Sequence, residues 1–247
     1  MPILYTQDSP VMGIWKITET WQEMIESFQD NENYLRFVCK MQSDKRKQEW
    51  LAIRLLLKHL LGPEVYIDYQ GNGVPLLRNS EYYISISHTK GFAAVILSNS
   101  ENPGIDIELH SGRAWRLRDK FLGVYELEMF VPMHDLQRNN LQTGSNKTKT
   151  CKNKKADEKK LISEKIHADD GIFSEQTTLA TVCWCAKETA FKSLQQAEVD
   201  FINHLHILPF ELSDKGIFSI KETKTPLQQI FIINYQITED FIITWKE

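Results

Sequence analysis

Gly104-Ile105-Asp106-Ile107-Glu108 constrains the fold of this chain more than any other segment, because branched apolar residues alternate there with acids. In an extended strand, residues two apart point to the same side. Ile105 and Ile107 must therefore enter a core, while Asp106 and Glu108 share the opposite side. Two carboxylates about 6 Å apart repel by roughly 2–3 kcal/mol at an effective dielectric of ~20. Either solvent absorbs that repulsion at a strand end, or a positive partner offsets it. A hard divalent cation with oxygen ligands is one such partner.

With 247 residues, the chain can bury a core as one large domain or as two lobes. Its apolar fraction of 42% and charged fraction of 25% are those of a soluble globular protein. A net charge of -4 argues against a general nucleic-acid binder, which needs a basic surplus. Met1 to Asp8 lacks the basic and apolar regions of a signal peptide. Leu51 to Leu61 is interrupted by Arg54, Lys58 and His59, so no membrane span is expected. Cys39, Cys151, Cys183 and Cys185 lack metal-finger spacing and fit reduced thiols in a cytoplasm.

Val11 to Ile17 reads as a strand, and Thr18 as the cap of a helix through Phe28. Asp30 to Asn33 reads as a polar break. Ser43 is placed to cap a long helix that ends at Gly62-Pro63 and starts among Lys40, Lys45, Arg46 and Lys47. A turn at Gly71-Asn72-Gly73 precedes a hairpin of Tyr82 to Ser87 and Phe92 to Ser98. From Gln137 to about Lys165, Asn, Thr, Lys and Gly dominate, which predicts a solvated insertion. Beyond it the expectations are a strand at Leu179 to Cys183, a helix from Cys185 to Gln196, and a last hairpin of Gln229 to Gln236 with Phe241 to Trp245. Each half runs from a long helix through a loop into paired strands, as an ancient duplication with a cleft between lobes would.

Three further clusters have chemical potential. On a helix, Glu188 and Lys192 are four apart and share a face, as a surface ion pair or as part of a site. Trp184 and Phe191 share another face, suited to anchoring the helix in a core. Ser87-His88-Thr89 ends a strand, and Arg54 lies in the long helix downstream of its cationic start. Each has an ordinary structural reading: a solvated loop histidine, an ion-paired arginine.

Together these segments resemble the Sfp-type 4'-phosphopantetheinyl transferases. That family has a segment ending Ser-His-Ser, then Gly-[Ile/Val]-Asp-[Ile/Val]-Glu, then Trp-x-x-Lys-Glu-[Ser/Ala]-x-x-Lys. Here they are Ile84 to Thr89, Gly104 to Glu108 and Trp184 to Lys192, and the likeness runs from about Ser43 to the C-terminus around the insertion. It implies an α+β fold of two similar lobes related by a pseudo-twofold, residues 1–103 contacting coenzyme A and residues 104–247 bearing the metal site. It further implies Mg²⁺-dependent transfer of phosphopantetheine from coenzyme A to a serine of an apo acyl or peptidyl carrier protein, releasing adenosine 3',5'-bisphosphate. Such carriers serve fatty-acid, polyketide or nonribosomal-peptide synthesis. The alternative is a catalytically inactive relative that binds coenzyme A or a carrier. A monomer is expected, with neither nucleic acid nor membrane as partner.

By the same resemblance Asp106, Glu108 and Glu188 match the Mg²⁺ ligands, so their carboxylates should converge on one point. Glu188 also matches the proton acceptor, and Lys192 the lysine at the leaving phosphate. Arg54, Gly73, Pro75, Ser87, His88 and Lys192 match coenzyme contacts, with Lys187 a further cation for the cleft. The run Phe121 to Phe130 matches a carrier-docking segment or a core helix. Val74 stands where the family often has lysine, and Thr89 and Thr189 replace a serine and a Ser/Ala.

Overall fold

The chain begins with an antiparallel pair, β1 (Ile3–Asp8) and β2 (Val11–Lys16). The computed structural model describes residues 3–8, 10–62, 65–130 and 175–247. Thr20, not Thr18, caps α1 (Trp21–Glu26), because Glu23 lies three residues on and completes a reciprocal capping box. Asp30 does not break the chain. Its carboxylate accepts from the Asn33 N–H and so starts α2 (Asn31–Val38). Ser43 caps α3 (Asp44–Leu61), which stops at Gly62 in a positive-φ conformation that glycine tolerates.

β3 (Tyr66–Tyr69) and β4 (Pro75–Arg78) form a small hairpin, followed by the expected hairpin of β5 (Tyr83–Thr89) and β6 (Phe92–Ser98). β6 also pairs with β2, giving an antiparallel sheet of order β1-β2-β6-β5. Leu51, Leu56 and Leu57 of α3 pack with Ile84, Val95 and Leu97 of that sheet.

β7 (Gly104–Leu109) is followed by the short helices α4 (Gly112–Leu117) and α5 (Val124–Leu127). Description resumes at α6 (Glu175–Leu194), α7 (Phe201–His204), β8 (Leu205–Ile207), β9 (Lys215–Glu222), β10 (Ile230–Ile237) and β11 (Phe241–Lys246). The second sheet is antiparallel with order β7-β11-β10-β9-β8. Val182, Ala186 and Ala190 of α6 pack with Phe218, Ile220, Ile233 and Tyr235. The strand expected at Leu179 to Cys183 is instead part of α6, which ends at Leu194. A short apolar run fits a buried helix as well as a buried strand, and here most of it is fully enclosed. The insertion at about 137–165, with Cys151, lies outside the described residues.

The two sheets meet over a third core, where Met12, Ile14 and Ile96 face Ile105, Ile107 and Ile243. The core side of the acidic strand is thus as its alternation demands. β5 and β7 run side by side and are linked by serine hydroxyls. Ser85 Oγ accepts from the Ile105 N–H at 3.2 Å and Ser87 Oγ from the Ile107 N–H at 3.3 Å. α6 presses on β7 so closely that a Cβ on Gly104 would lie 2.3 Å from the Thr189 carbonyl oxygen. The architecture is a mixed α+β one. Among the described residues no helix is long and apolar enough to cross a membrane, and Cys39, Cys183 and Cys185 are free thiols.

Candidate active site

Five elements, β3 among them through Tyr69, close round a cleft of about 400 Å³. α3 contributes Arg54, β5 contributes Ser87 and His88, β7 contributes Asp106 and Glu108, and α6 contributes Glu188 and Lys192. Residues from across the chain thus share one cavity. Gly73 and Pro75 line a neighbouring hollow of about 470 Å³, bordered like the first by Tyr69, Ile86 and Lys192.

The acidic end is organised round Asp106. Its Oδ1 accepts from Ser87 Oγ at 2.8 Å and from the Lys192 ammonium at 2.8 Å, and Lys192 also donates to the Ile105 carbonyl at 2.8 Å. Asp106 Oδ2 is buried and without a hydrogen-bond partner. Glu108 Oε1 accepts from Trp184 Nε1 at 3.0 Å. Burial raises the Glu108 carboxyl above the usual range, and the charge of Asp106 adds to this. Glu188 is pushed up to about 7, first by burial, then by repulsion from Asp106 and, less, Glu108, with Lys192 opposing. The expected convergence is not met as the side chains stand. Among the described residues no three His, Cys, Asp or Glu side chains are grouped to hold a metal ion. Lys192 is the positive partner that Asp106 has, and it offsets part of the predicted repulsion.

At the basic end the Arg54 guanidinium lies 3.3 Å over the Trp50 ring and donates to the Trp50 carbonyl at 3.0 Å. Burial brings it down to about 10, with Tyr69 acting the other way. His88 Nε2 meets Arg46 Nη1 at 2.5 Å, and Nδ1 faces Glu49 Oε2 at 3.4 Å. Burial lowers the imidazole's proton affinity most. Arg46, Glu49, Tyr69 and Trp184 line the cleft without having been singled out as site residues. Glu49 left only a faint signal, an acid three and four residues after Arg46 and Lys45, which reads as an exposed helix ion pair.

Two expectations for α6 are corrected. Lys187 does not line the cleft but is fully enclosed. Its ammonium donates to Glu126 at 2.7 Å and to the carbonyls of Phe121 and Phe201 at 2.8 and 2.9 Å. Three acceptors satisfy all three of its protons, which is what a buried ammonium requires. Trp184 and Phe191 do share a face, both rings packing on Phe201, but only Trp184 is packed against the core, where it also edges the cleft, whereas Phe191 is exposed. The run from Phe121 is neither one helix nor uniformly core. Phe121, Leu122 and Leu127 are buried, whereas Tyr125 is 86% exposed. The side chain of Phe130 lies outside the described residues.

No known protein-family profile matches the chain. Over 73 residues it is 37% identical to a protein named 4'-phosphopantetheinyl transferase AcpT from Escherichia coli O157:H7. That stretch is 29% of this chain and 37% of that relative, so the similarity spans little more than a third of the relative's length.

Proposed function

We propose that this chain is a 4'-phosphopantetheinyl transferase of the Sfp type, which moves phosphopantetheine from coenzyme A to a serine of an apo acyl or peptidyl carrier protein. The carrying observation is the single cleft lined by Asp106, Glu108, Glu188 and Lys192 together with Arg54 and His88. That mixture of cations and acids suits the two parts of the reaction, anion binding and acid–base chemistry on a phosphate ester. The likeness to the transferase over 73 residues supports the reading. Residues 1–103 and 104–247 are read as two lobes related by a pseudo-twofold, a division supported by their separate cores.

The donor set fits a hard divalent cation. Asp106, Glu108 and Glu188 all line the cleft, one buried oxygen of Asp106 has no hydrogen-bond partner, and Glu188 is pushed up to about 7 by burial first and then by repulsion from Asp106. Asp106, Glu108 and Glu188 would hold Mg²⁺, which when bound neutralises charge on the coenzyme's pyrophosphate.

The chain's own residues supply the remainder. Arg54 and His88 hold the 3'-phosphate, and Gly73 and Pro75 border the hollow beside it. Glu188 takes the proton from the carrier serine as its oxygen bonds to the β-phosphorus. The bond from that phosphorus to the bridging oxygen breaks, and adenosine 3',5'-bisphosphate leaves with the electron pair. Lys192, held beside Asp106, stabilises the charge on the departing oxygen or protonates it. Ser87 orients Asp106 by donating to Oδ1.

Incubation with coenzyme A, Mg²⁺ and a panel of apo carrier proteins, read by intact-protein mass spectrometry, tests the proposal. One carrier should gain the mass of a single phosphopantetheine. No gain on any carrier refutes transfer, and coenzyme A binding without gain makes the chain a binding relative.

A further inference from the structure

We infer that Glu49 positions His88 for phosphate binding, its buried carboxylate orienting the ring and balancing a proton that His88 takes up when a phosphate displaces Arg46 from Nε2. The identity of that phosphate as the coenzyme's rests on the function proposed above. The geometry itself does not.

A guanidinium has only donors, so the 2.5 Å contact of Arg46 Nη1 with His88 Nε2 requires a lone pair on Nε2. The ring is therefore neutral, with its proton on Nδ1 facing Glu49 Oε2 at 3.4 Å. Both nitrogens are occupied, and in this state the histidine offers a ligand nothing. Glu49 is an unusual acid for a helix start among Lys45, Arg46 and Lys47. It is 5% exposed where a solvated ion pair would stand open. Its Oε1 makes no hydrogen bond, although Lys45 Nζ lies 3.4 Å away. Oε2 is shared between the histidine and Arg46 Nη1 at 3.6 Å.

The charges facing the ring are few. Lys45, Arg46 and Glu49 come from α3 and Lys192 from α6, so three cations oppose protonation and Glu49 alone favours it. The Arg46 side chain is more than half exposed and can swing to an entering anion. When it leaves, the bare lone pair of Nε2 would face phosphate oxygens and repel them. A proton from solvent turns Nε2 into a donor, and the imidazolium then lies between the anion and the Glu49 carboxylate. With glutamine at position 49 the same proton would meet three cations, with only the anion to hold it.

Histidine labelled with carbon-13 reads this directly, the His88 ring signal among seven histidines being assigned by its loss in His88→Gln. The probes are adenosine 3',5'-bisphosphate and sulfate, which has no titration of its own near neutrality. In the wild type the His88 midpoint should rise by about one pH unit or more on saturation with either anion. In Glu49→Gln, close in shape to the native residue, the rise should fall by half or more and binding at pH 7 should weaken several-fold. Glu49→Asp should recover part of both. An unchanged rise in Glu49→Gln, or no rise in the wild type with either anion, overturns the inference. A rise with sulfate but no binding of the nucleotide refutes the coenzyme reading and keeps the role of Glu49.

Discussion

Glu188 carries a conflict that sets the behaviour of the whole cleft. Its carboxyl is pushed up to about 7, so the folded protein holds this proton more tightly than the unfolded chain does. A raised acid destabilises the fold where it must ionise. The cost is absent below the unfolded value near 4.5, grows as pH rises towards 7, and is complete above it. In chelator, Glu188→Gln should match the wild type in melting temperature near pH 4.5 and exceed it by roughly 1–3 kcal/mol of stability at pH 8. A difference that does not grow with pH would refute the electrostatic account. The same variant should lower transfer by about 10²–10⁴, the usual contribution of a positioned base. Lys192→Ala separates chemistry from binding. Its loss should reduce kcat by about 10²–10³ while the KM for coenzyme A changes little. A rise in KM alone would make Lys192 a binding residue. Strand and helix periods put Asp106 with Glu108 and Glu188 with Lys192 on shared sides of their elements, and only the family resemblance implied that the two pairs meet in one cleft, as they do. Glu49 was not legible, because the burial of one acid in a charged turn leaves no trace in the pattern of residue types.

At the scale of elements, the site depends on how near α6 comes to β7. The Thr189 carbonyl and Ser193 Oγ occupy the space a Cβ on Gly104 would need, and a helix carbonyl cannot move aside alone. Thr189 also joins Thr244 of β11 through their hydroxyls at 2.6 Å, locking helix to sheet. Gly104→Ala should push α6 outward, with a stability loss of roughly 1–3 kcal/mol by overpacking and a large fall in transfer rate, since Glu188 and Lys192 ride on that helix. Full activity in a folded Gly104→Ala protein would refute the need for this approach. Gly104 was visible in the sequence as part of a motif, but its reason was not: only the packed helix reveals what a methyl group would strike. The same holds for α6 itself. Its apolar first half reads as a strand because burial on most sides erases the helical period, whereas Ser43 and Gly62 bound α3 correctly because caps act locally.

For the molecule as a whole, the seam between the sheets ties the fold to the chemistry. Along β5, Ile84 and Ile86 alternate with Ser85 and Ser87, which puts the two pairs on opposite sides of the strand. That alternation could not disclose that the serine side is buried against β7, since a polar row looks the same whether it meets water or a neighbouring strand. Both hydroxyls accept from a β7 N–H, so each satisfies a backbone donor that would otherwise be stranded between the sheets. Only Ser87 also donates to Asp106. Its removal should therefore do two things where removal of Ser85 does one. Ser85→Ala and Ser87→Ala should each cost roughly 1–3 kcal/mol in chemical denaturation, the price of an unpaired buried donor. Ser87→Ala alone should also reduce transfer and weaken the response of activity to Mg²⁺, because Asp106 then loses the bond that orients it. Transfer assays at a temperature where both variants are fully folded decide the matter: equal activities would mean that the seam supports the fold and leaves the acidic cluster alone.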